Sequence, residues 1–237
     1  MDARKHEPHG GHRSVSGGLA RAAVFGVSDG LVSNVSLILG FAGSGVDNTV
    51  VRLAGLAGAV AGGISMAAGE WVSISSQNDL IKREVEIERR ELVHNVEHET
   101  EELAAIYESH GMGSARAAAA AEEVMQQPDT ALVVHAREEL GVDPDDLPSA
   151  MWAAALSLVC FLFGALLPVV PWFIGSGSTA AFASLAIGMV VAGFVGGLVA
   201  RFAERSILAG IVRQMAIVVV ACGITYLIGE LVGVNLS

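Results

Sequence analysis

The residue with the clearest chemical potential is Asp29, a carboxylate with no Lys or Arg beside it in the apolar stretch AVFGVSDGLVSNVSLILGFAG, residues 22–42. Residues spaced by three or four positions share a helix face, and here that face carries Phe25, Asp29, Ser33 and Ser36, with Asn34 adjacent. An ionisable group at the centre of a membrane helix costs about 2.5–3.5 kcal/mol on insertion scales and typically marks an ion or proton path. We therefore predict a functional role for Asp29.

A second apolar stretch offers a matching stripe, with Gly62, Met66, Glu70, Ser73 and Gln77 at spacings of three and four. Carboxylates alone suit Ca(II) or Mg(II), whereas a thioether favours Fe(II), Co(II) or another softer ion. A lone methionine in such a helix commonly packs in the core, and Glu70 fits an interfacial position as well as a functional one. The prediction of a metal site of mixed softness therefore rests on Asp29, Met66 and Glu70 together.

Two E-x-x-E pairs form a separate group of candidate ligands, Glu88 with Glu91 and Glu99 with Glu102. Residues three apart share a helix face, so each pair directs its oxygens to one side. Divalent cations of hard or borderline character would relieve the resulting repulsion, and a solvated acidic face is the alternative. A helix break near Asn95 would fold the two pairs together.

Histidines near these pairs favour a transition metal, because imidazole is a borderline ligand: His94, His98 and His135. Each of them taken singly is expected to be a surface residue. Glu91 and His94 also form E-x-x-H, the spacing of di-iron carboxylate bundles, but a second E-x-x-H is absent, which argues against a ferritin-type oxidase.

The elements that must position these residues are membrane helices. The chain is 52% hydrophobic and only 16% charged, with a mean hydropathy of +0.55. Five apolar stretches approach the roughly 20 residues that span a hydrocarbon core: 19–43, 53–75, 150–174, 180–200 and 207–233. We predict an all-α membrane protein with a flexible tail over 1–18, helices 1 and 2 over 19–75, and helices 3–5 over 149–237.

The remaining stretch, 76–148, has the composition of a soluble domain. It holds 18 acidic and 6 basic residues, against 7 and 8 in the rest of the chain, so it accounts for the net charge of −11. We predict a small helical, cation-binding domain. Its first helix continues out of the second span, the next runs from an N-cap at Asn95 to Gly111, and one or two more follow. No nucleic-acid partner is expected.

Lys and Arg predict the orientation. With a cytosolic N-terminus, 13 of the 14 basic residues lie inside and only Arg52 lies outside. The acidic insertion would then face the cytosol. The polar start has no apolar signal segment, so the first helix is expected to stay as an uncleaved anchor, and we expect a bacterial inner membrane. Three N-terminal histidines fit a flexible tail or contacts with metal: His6, His9 and His12.

Small residues at GxxxG spacing recur in two of the spans, as Gly58 with Gly62 and Gly193 with Gly197. Such residues let helix backbones approach closely. They predict either a tight bundle within one chain or a dimer mediated by helices.

Taken together, GVSDGLVSNVSLILG, GGISMAAGEWVSISSQND, the two E-x-x-E pairs, EELAAIY and the five-helix plan resemble the vacuolar iron transporter family over about residues 19–233. The resemblance implies a homodimer with five membrane helices per subunit. It implies a transporter rather than an enzyme, one that moves Fe(II), and often Mn(II), out of the cytosol in exchange for protons. No prosthetic group is implied, and Co(II) and Zn(II) are further candidate ions.

The resemblance also assigns roles. The Asp of the SDG motif falls on Asp29 and the Met of the ISM motif on Met66, both within the membrane. The Glu residues of the family's cytosolic metal-binding domain fall on Glu88, Glu91, Glu99, Glu102 and Glu139.

This chain departs from plant members at three places, which affects the roles assigned to these residues. Gly58 stands where they have a Glu, and Glu70 is the candidate substitute that guides entry. His135 and Ala136 stand where they have a Met pair, which puts the preference for iron over manganese in question. HNVEHE, residues 94–99, replaces the stretch with a proline between the Glu pairs.

The working hypothesis is a proton-coupled exporter of divalent transition metal. A carboxylate in hydrocarbon is costly as a bare anion, so it holds either a proton or a cation, and exchange of the two is antiport in outline. The rival hypotheses are a membrane-anchored ferroxidase or iron-storage protein and a metal sensor without transport.

Overall fold

The structure is a computed structural model that describes residues 18–234. The predicted N-terminal tail, including His6, His9 and His12, lies outside the described residues apart from Gly18.

All regular structure in residues 18–234 is helical, and no strand occurs there, which confirms the all-α prediction. The helices are α1 Gly18–Gly43, α2 Asn48–His94, α3 Val96–Ser109, α4 Ser114–Met125, α5 Pro128–Glu138, α6 Ala150–Leu166, α7 Pro171–Ile174, α8 Gly177–Phe202 and α9 Ile207–Val234, with a 3₁₀ turn at Leu167–Val169.

Five helical segments of the described chain are long and apolar enough to cross a membrane, as predicted: Arg21–Gly43, Asn48–His94, Ala150–Ile174, Gly177–Phe202 and Ile207–Gly233. Helix α2 is 47 residues long. Its apolar part is the predicted span 53–75, and its charged part, from Asp79 onward, lies outside that span.

The chain divides into two compact units. Within the described residues, the first comprises 18–70 and 151–234, and the second comprises Trp71–Ala150. The predicted acidic domain, 76–148, falls within the range of the second unit.

In the first unit, α1 packs against α8 and α9, and α8 packs against α9. The main core cluster is built from these three helices: Leu31, Val35, Leu39, Ala192, Val218 and Cys222. A second cluster joins α1 and α2 to the 3₁₀ turn that follows α6, around Ile38, Val51 and Val169.

The GxxxG glycines pack within one chain. A Cβ added at Gly62 would lie 2.5 Å from Phe161 Cζ in α6, and one at Gly197 would lie 3.2 Å from Ile211 Cγ1 in α9. The absence of a side chain at Gly62 therefore lets an aromatic ring seat against α2. These glycines serve a tight bundle of helices in the same subunit.

The proline that follows α6 explains where this helix ends. It stops at Leu166, two residues before Pro168, because proline lacks the amide hydrogen that continues a helix. The turn that follows is fixed by side chains from α7 and α8: Trp172 Nε1 donates to Ser184 Oγ at 3.0 Å, and Ser184 Oγ donates to the Pro168 carbonyl at 2.6 Å.

In the second unit, α3 packs on α4 and α4 packs on α5. Its apolar core is thin. One cluster comprises Val85, Leu132 and Ala136, and the alanines Ala117 and Ala121 of α4 are also buried. Short side chains of this kind allow neighbouring helices to approach closely.

The chain breaks between α2 and α3 at Asn95, as the sequence indicated. Asn95 occupies the N-cap position of α3 but makes no side-chain capping hydrogen bond. Gly111 follows α3 with a φ of +91°, a conformation that glycine adopts without steric cost. Asn78 Nδ2 donates to the Pro148 carbonyl at 2.9 Å and ties together the two ends of the unit.

Candidate metal centres

Four potential metal ligands converge in the second unit, Trp71–Ala150, which we call the acidic unit. Glu88 comes from α2, Glu99 from α3 and His135 from α5, and Glu139 directly follows α5. Each offers one ligand atom, and these four atoms all lie within 4.8 Å of one another. The break at Asn95 makes this possible, because it lets α3 leave the direction of α2 and bring Glu99 to Glu88. We call this group the acidic cluster.

His135 Nδ1 is the hub of the acidic cluster. It lies 2.8 Å from Glu139 Oε1, 3.1 Å from Glu88 Oε1 and 3.7 Å from Glu99 Oε2. In an octahedral sphere with bonds of about 2.1 Å, neighbouring ligand atoms are about 3.0 Å apart and opposite ones about 4.2 Å apart. The three distances from His135 Nδ1 are therefore close to those between ligands of one small divalent ion.

The acidic cluster is buried. His135 is 0% exposed, Glu99 2% and Glu88 6%, and the Glu139 side chain is 20% exposed. Burial is the main reason why the pKa of Glu88 rises to about 7, and the charges of Glu139, Glu99, Glu91 and Glu102 add to it. Burial also raises the pKa of Glu99, where Glu102 adds to the rise and His135 opposes it.

Hydrogen bonds within the acidic cluster do not satisfy its polar atoms. The Nδ1–H of His135 can serve one acceptor, and Glu139 Oε1 is the one in hydrogen-bond geometry. Glu88 Oε1 and His135 Nε2 are buried without a hydrogen-bond partner. Leaving buried polar groups unpaired is costly. A divalent cation would satisfy the oxygens and relieve the repulsion between the carboxylates.

Glu91 and Glu102, the other member of each predicted pair, are exposed and lie outside the acidic cluster. A spacing of three residues rotates a side chain by about 60° from perfect alignment. Only one member of each pair therefore reaches the buried position. The outer two act on Glu88 through their charge, since both raise its pKa.

The expectation that each histidine is a surface residue is wrong for His135. His94 and His98 are exposed, whereas His135 is fully buried. The signal was present in ALVVHA, residues 131–136: His135 follows the buried residues Ala131 and Leu132 at spacings of four and three. It also precedes Glu139 by four residues, which places both on one side of the helix.

A second candidate centre lies in the first unit, which holds the apolar helices and which we call the membrane unit. Asp29 of α1 and Met66 of α2 line the same open cavity of about 320 Å³, which we call the membrane groove. Its other lining residues are Ser33, Asn34, Leu37, Gly58, Gly62, Ser65 and Phe161. The groove thus combines a carboxylate, a thioether, two hydroxyls and an amide in otherwise apolar surroundings.

The polar face of α1 differs in one position from the prediction. Phe25, Asp29 and Ser33 are all exposed on one side of the helix, but Ser36 is buried. Ser36 Oγ lies 3.7 Å from Cys222 Sγ in α9. Ser36 shares the angular position of the stripe on α1, but it lies further along the helix, where α9 covers it.

Glu70 is not among the residues that line the membrane groove. It is half-buried one turn beyond Met66, and its role in guiding ions stays a prediction. Sequence reasoning missed Ser65, which precedes Met66 and adds a hydroxyl to the groove.

Comparison with known proteins agrees with these features. The model of the VIT family matches residues 20–230. A relative from Acanthamoeba castellanii named vacuolar iron transporter is 35% identical over 196 residues, which is 78% of this chain and 71% of the relative. A protein from Oryza sativa subsp. japonica named vacuolar iron transporter 1 is 28% identical over 201 residues, 84% of this chain and 80% of the relative.

Proposed function

The chain belongs to the VIT family, and from this we propose that it moves Fe(II), and also Mn(II), out of the cytosol in exchange for protons. The observation that carries the proposal is that Asp29 and Met66 line one groove in the membrane unit. A bare carboxylate there is costly unless it holds a proton or a cation. Competition between the two for Asp29 would couple their movements.

The donor set of the membrane groove supports a borderline metal. Hard ions such as Mg(II) prefer oxygen ligands alone, whereas the Met66 thioether contributes affinity for softer ions. Fe(II) accepts both types of ligand. Mn(II) would depend more on the oxygens of Asp29, Ser33 and Ser65.

The exposure of Asp29 supports a homodimer. In a single chain, Asp29 and Ser33 lie on the surface of α1 beside Phe25, which is 62% exposed. A carboxylate turned toward lipid costs about 2.5–3.5 kcal/mol. A second copy against this face would remove Asp29 from lipid, and each subunit would bring its own carboxylate and thioether.

The acidic cluster would collect the ion on the cytosolic face. Three carboxylates and one imidazole form a mixed oxygen and nitrogen set that accepts Fe(II), Mn(II), Co(II) and Zn(II). The exposed Glu91 and Glu102 would attract cations toward it. The cytosolic placement rests on the distribution of Lys and Arg.

Transport by the purified full chain in liposomes tests the proposal. An imposed pH gradient should drive uptake of Fe(II) and Mn(II), and Asp29→Asn should abolish it. The matched control is Asp47→Asn, because Asp47 lies in the loop before α2 and accepts a hydrogen bond from the Thr49 amide. Normal flux through the Asp29 variant would refute the pathway.

The rival hypothesis, a membrane-anchored ferroxidase or iron-storage protein, predicts a different result from the same preparation. Addition of Fe(II) would then consume oxygen, or load the protein with iron, without flux across the bilayer. Either result without flux would replace the transport proposal.

A further inference from the structure

The amide of Asn34 is held in one orientation. Asn34 lies on α1 and is 2% exposed. Its Nδ2 donates to the Gly55 carbonyl of α2 at 3.1 Å and to the Ala165 carbonyl of α6 at 2.5 Å. The reverse orientation would set an oxygen against two carbonyl oxygens, so the amide cannot turn without losing both hydrogen bonds.

This orientation leaves Asn34 Oδ1 as a buried acceptor without a hydrogen-bond partner. Buried carbonyl oxygens are nearly always paired, and an orphaned one calls for an explanation. The two hydrogen bonds of Nδ2 explain how Asn34 joins three helices. They do not explain why the side chain carries an oxygen as well.

Asn34 lies in the wall of the membrane groove, and its Oδ1 lies close to Gly58, another residue of that wall. Asn34 and Gly58 both line it, together with Asp29 and Met66. A Cβ added at Gly58 would come within 2.9 Å of Asn34 Oδ1 and 2.5 Å of Leu37 Cδ2. The missing side chain at Gly58 thus lets the Asn34 oxygen and the Leu37 side chain lie close to the backbone of α2.

Asn34 is five residues beyond Asp29, which is about 7.5 Å further along α1 at 1.5 Å per residue. The two side chains also leave α1 about 140° apart, at 100° per residue, so they point in different directions from the helix. Asn34 therefore belongs to a second position in the same groove.

We propose that Asn34 Oδ1 is a ligand for the transported divalent cation at a second position in the membrane groove, beyond Asp29 and Met66. The proposal rests on the transport function proposed above. An amide oxygen is a hard, neutral ligand of the kind that binds divalent cations in proteins. Because it is neutral, it can take part in coordination without holding the ion as strongly as a carboxylate. It favours Mn(II) and Fe(II), which accept oxygen ligands, over softer ions.

Two substitutions separate this role from a structural one. Asn34→Asp and Asn34→Leu both remove the Nδ2 donors and so lose the hydrogen bonds to the Gly55 and Ala165 carbonyls. Only Asn34→Asp retains a side-chain oxygen. A structural role predicts that neither variant changes the preference between metals, whereas a ligand role predicts that Asn34→Leu changes it and Asn34→Asp does not.

The measurement is the concentration dependence of Mn(II) and Co(II) uptake by the full chain in liposomes. We expect Asn34→Leu to raise the KM for Mn(II) at least about tenfold, as expected for a lost polar contact with a charged group, with a smaller effect on Co(II). Asn34→Asp should keep the ratio of the two KM values within about twofold of wild type. Ser36→Ala, a buried change on α1 outside the groove, should leave both KM values unchanged.

Equal effects of Asn34→Leu and Asn34→Asp on both metals would overturn the inference and leave Asn34 as a link between helices. If Asn34→Leu does not elute as a folded protein, Gly58→Ala replaces it, because it leaves the Asn34 amide in the chain while its Cβ crowds Oδ1. An unchanged Mn(II) to Co(II) ratio in Gly58→Ala would also overturn it. Absence of flux in the wild type would overturn the transport function and this inference together.

Discussion

Replacing Glu88 by Gln should stabilise the acidic unit in the absence of metal. The pKa of Glu88 rises from its ordinary 4.5 to about 7 in the folded chain, so the folded state holds a proton that the unfolded state releases. The free energy of unfolding therefore falls as the pH increases from 4.5 to 7. At about 1.4 kcal/mol per pH unit, the full loss above pH 7 is about 3 kcal/mol.

The substitution removes this penalty because Gln is neutral at every pH. We expect Glu88→Gln to gain up to about 3 kcal/mol over wild type at pH 8 and almost nothing at pH 4. In the presence of metal, wild type should be more stable than Glu88→Gln. A free ion concentration of 100 times the dissociation constant stabilises a binding protein by about 2.7 kcal/mol, and the variant, which lacks one anionic ligand, should receive much less.

The assay is hydrogen–deuterium exchange of the full chain, read at the amides of α3 and α5, with and without Mn(II). These amides report opening of the acidic unit separately from the membrane helices. Glu86→Gln is the matched control, because Glu86 is an exposed residue of α2 that pairs with Arg90 at 3.6 Å. Lower protection in metal-free Glu88→Gln at pH 8, or equal protection by metal in variant and wild type, would refute the reasoning.

Three further predictions concern the acidic cluster and the proposed dimer interface. His135→Ala should weaken metal binding by the full chain about 10- to 100-fold by calorimetry, and more for Co(II) than for Mn(II), because an imidazole is lost; the exposed His98→Ala should match wild type. Affinity for Mn(II) should decline steadily as the pH is lowered from 7.5 to 5.5, since protons compete for Glu88, and a flat profile would contradict the raised pKa. In a chain freed of its native cysteines, Ser33→Cys should form a disulfide-linked dimer in membranes, and a band at monomer mass alone would contradict the proposed interface.

The positions of the helices were predictable because their signals are local. Stretches of about 20 apolar residues predict membrane spans. Pro168 and the polar segment around Asn95 predict helix ends, and α6 and α2 end there. The prediction of Asp29 and Met66 as partners also needed only helical spacing and the requirement that a membrane carboxylate be neutralised.

Which glutamates of the acidic unit are buried could not be predicted in the same way. Both members of each Glu pair satisfy the spacing rule equally, and only the angle between α2 and α3 decides that Glu88 and Glu99 are buried. His135 was underrated because a single histidine carries no pattern of its own. The orphaned oxygen of Asn34 depends on carbonyls 21 and 131 residues away in the chain.

Metal binding at the acidic cluster must also release protons. With a pKa of about 7, Glu88 is about half protonated in neutral solution, so an arriving ion must displace about half a proton from this group alone. His135 can offer Nδ1 to a metal only if its ring proton resides on Nε2, which faces no acceptor. Each metal ion that binds therefore displaces a fraction of a proton on average. The apparent heat of metal binding should change with the ionisation enthalpy of the buffer.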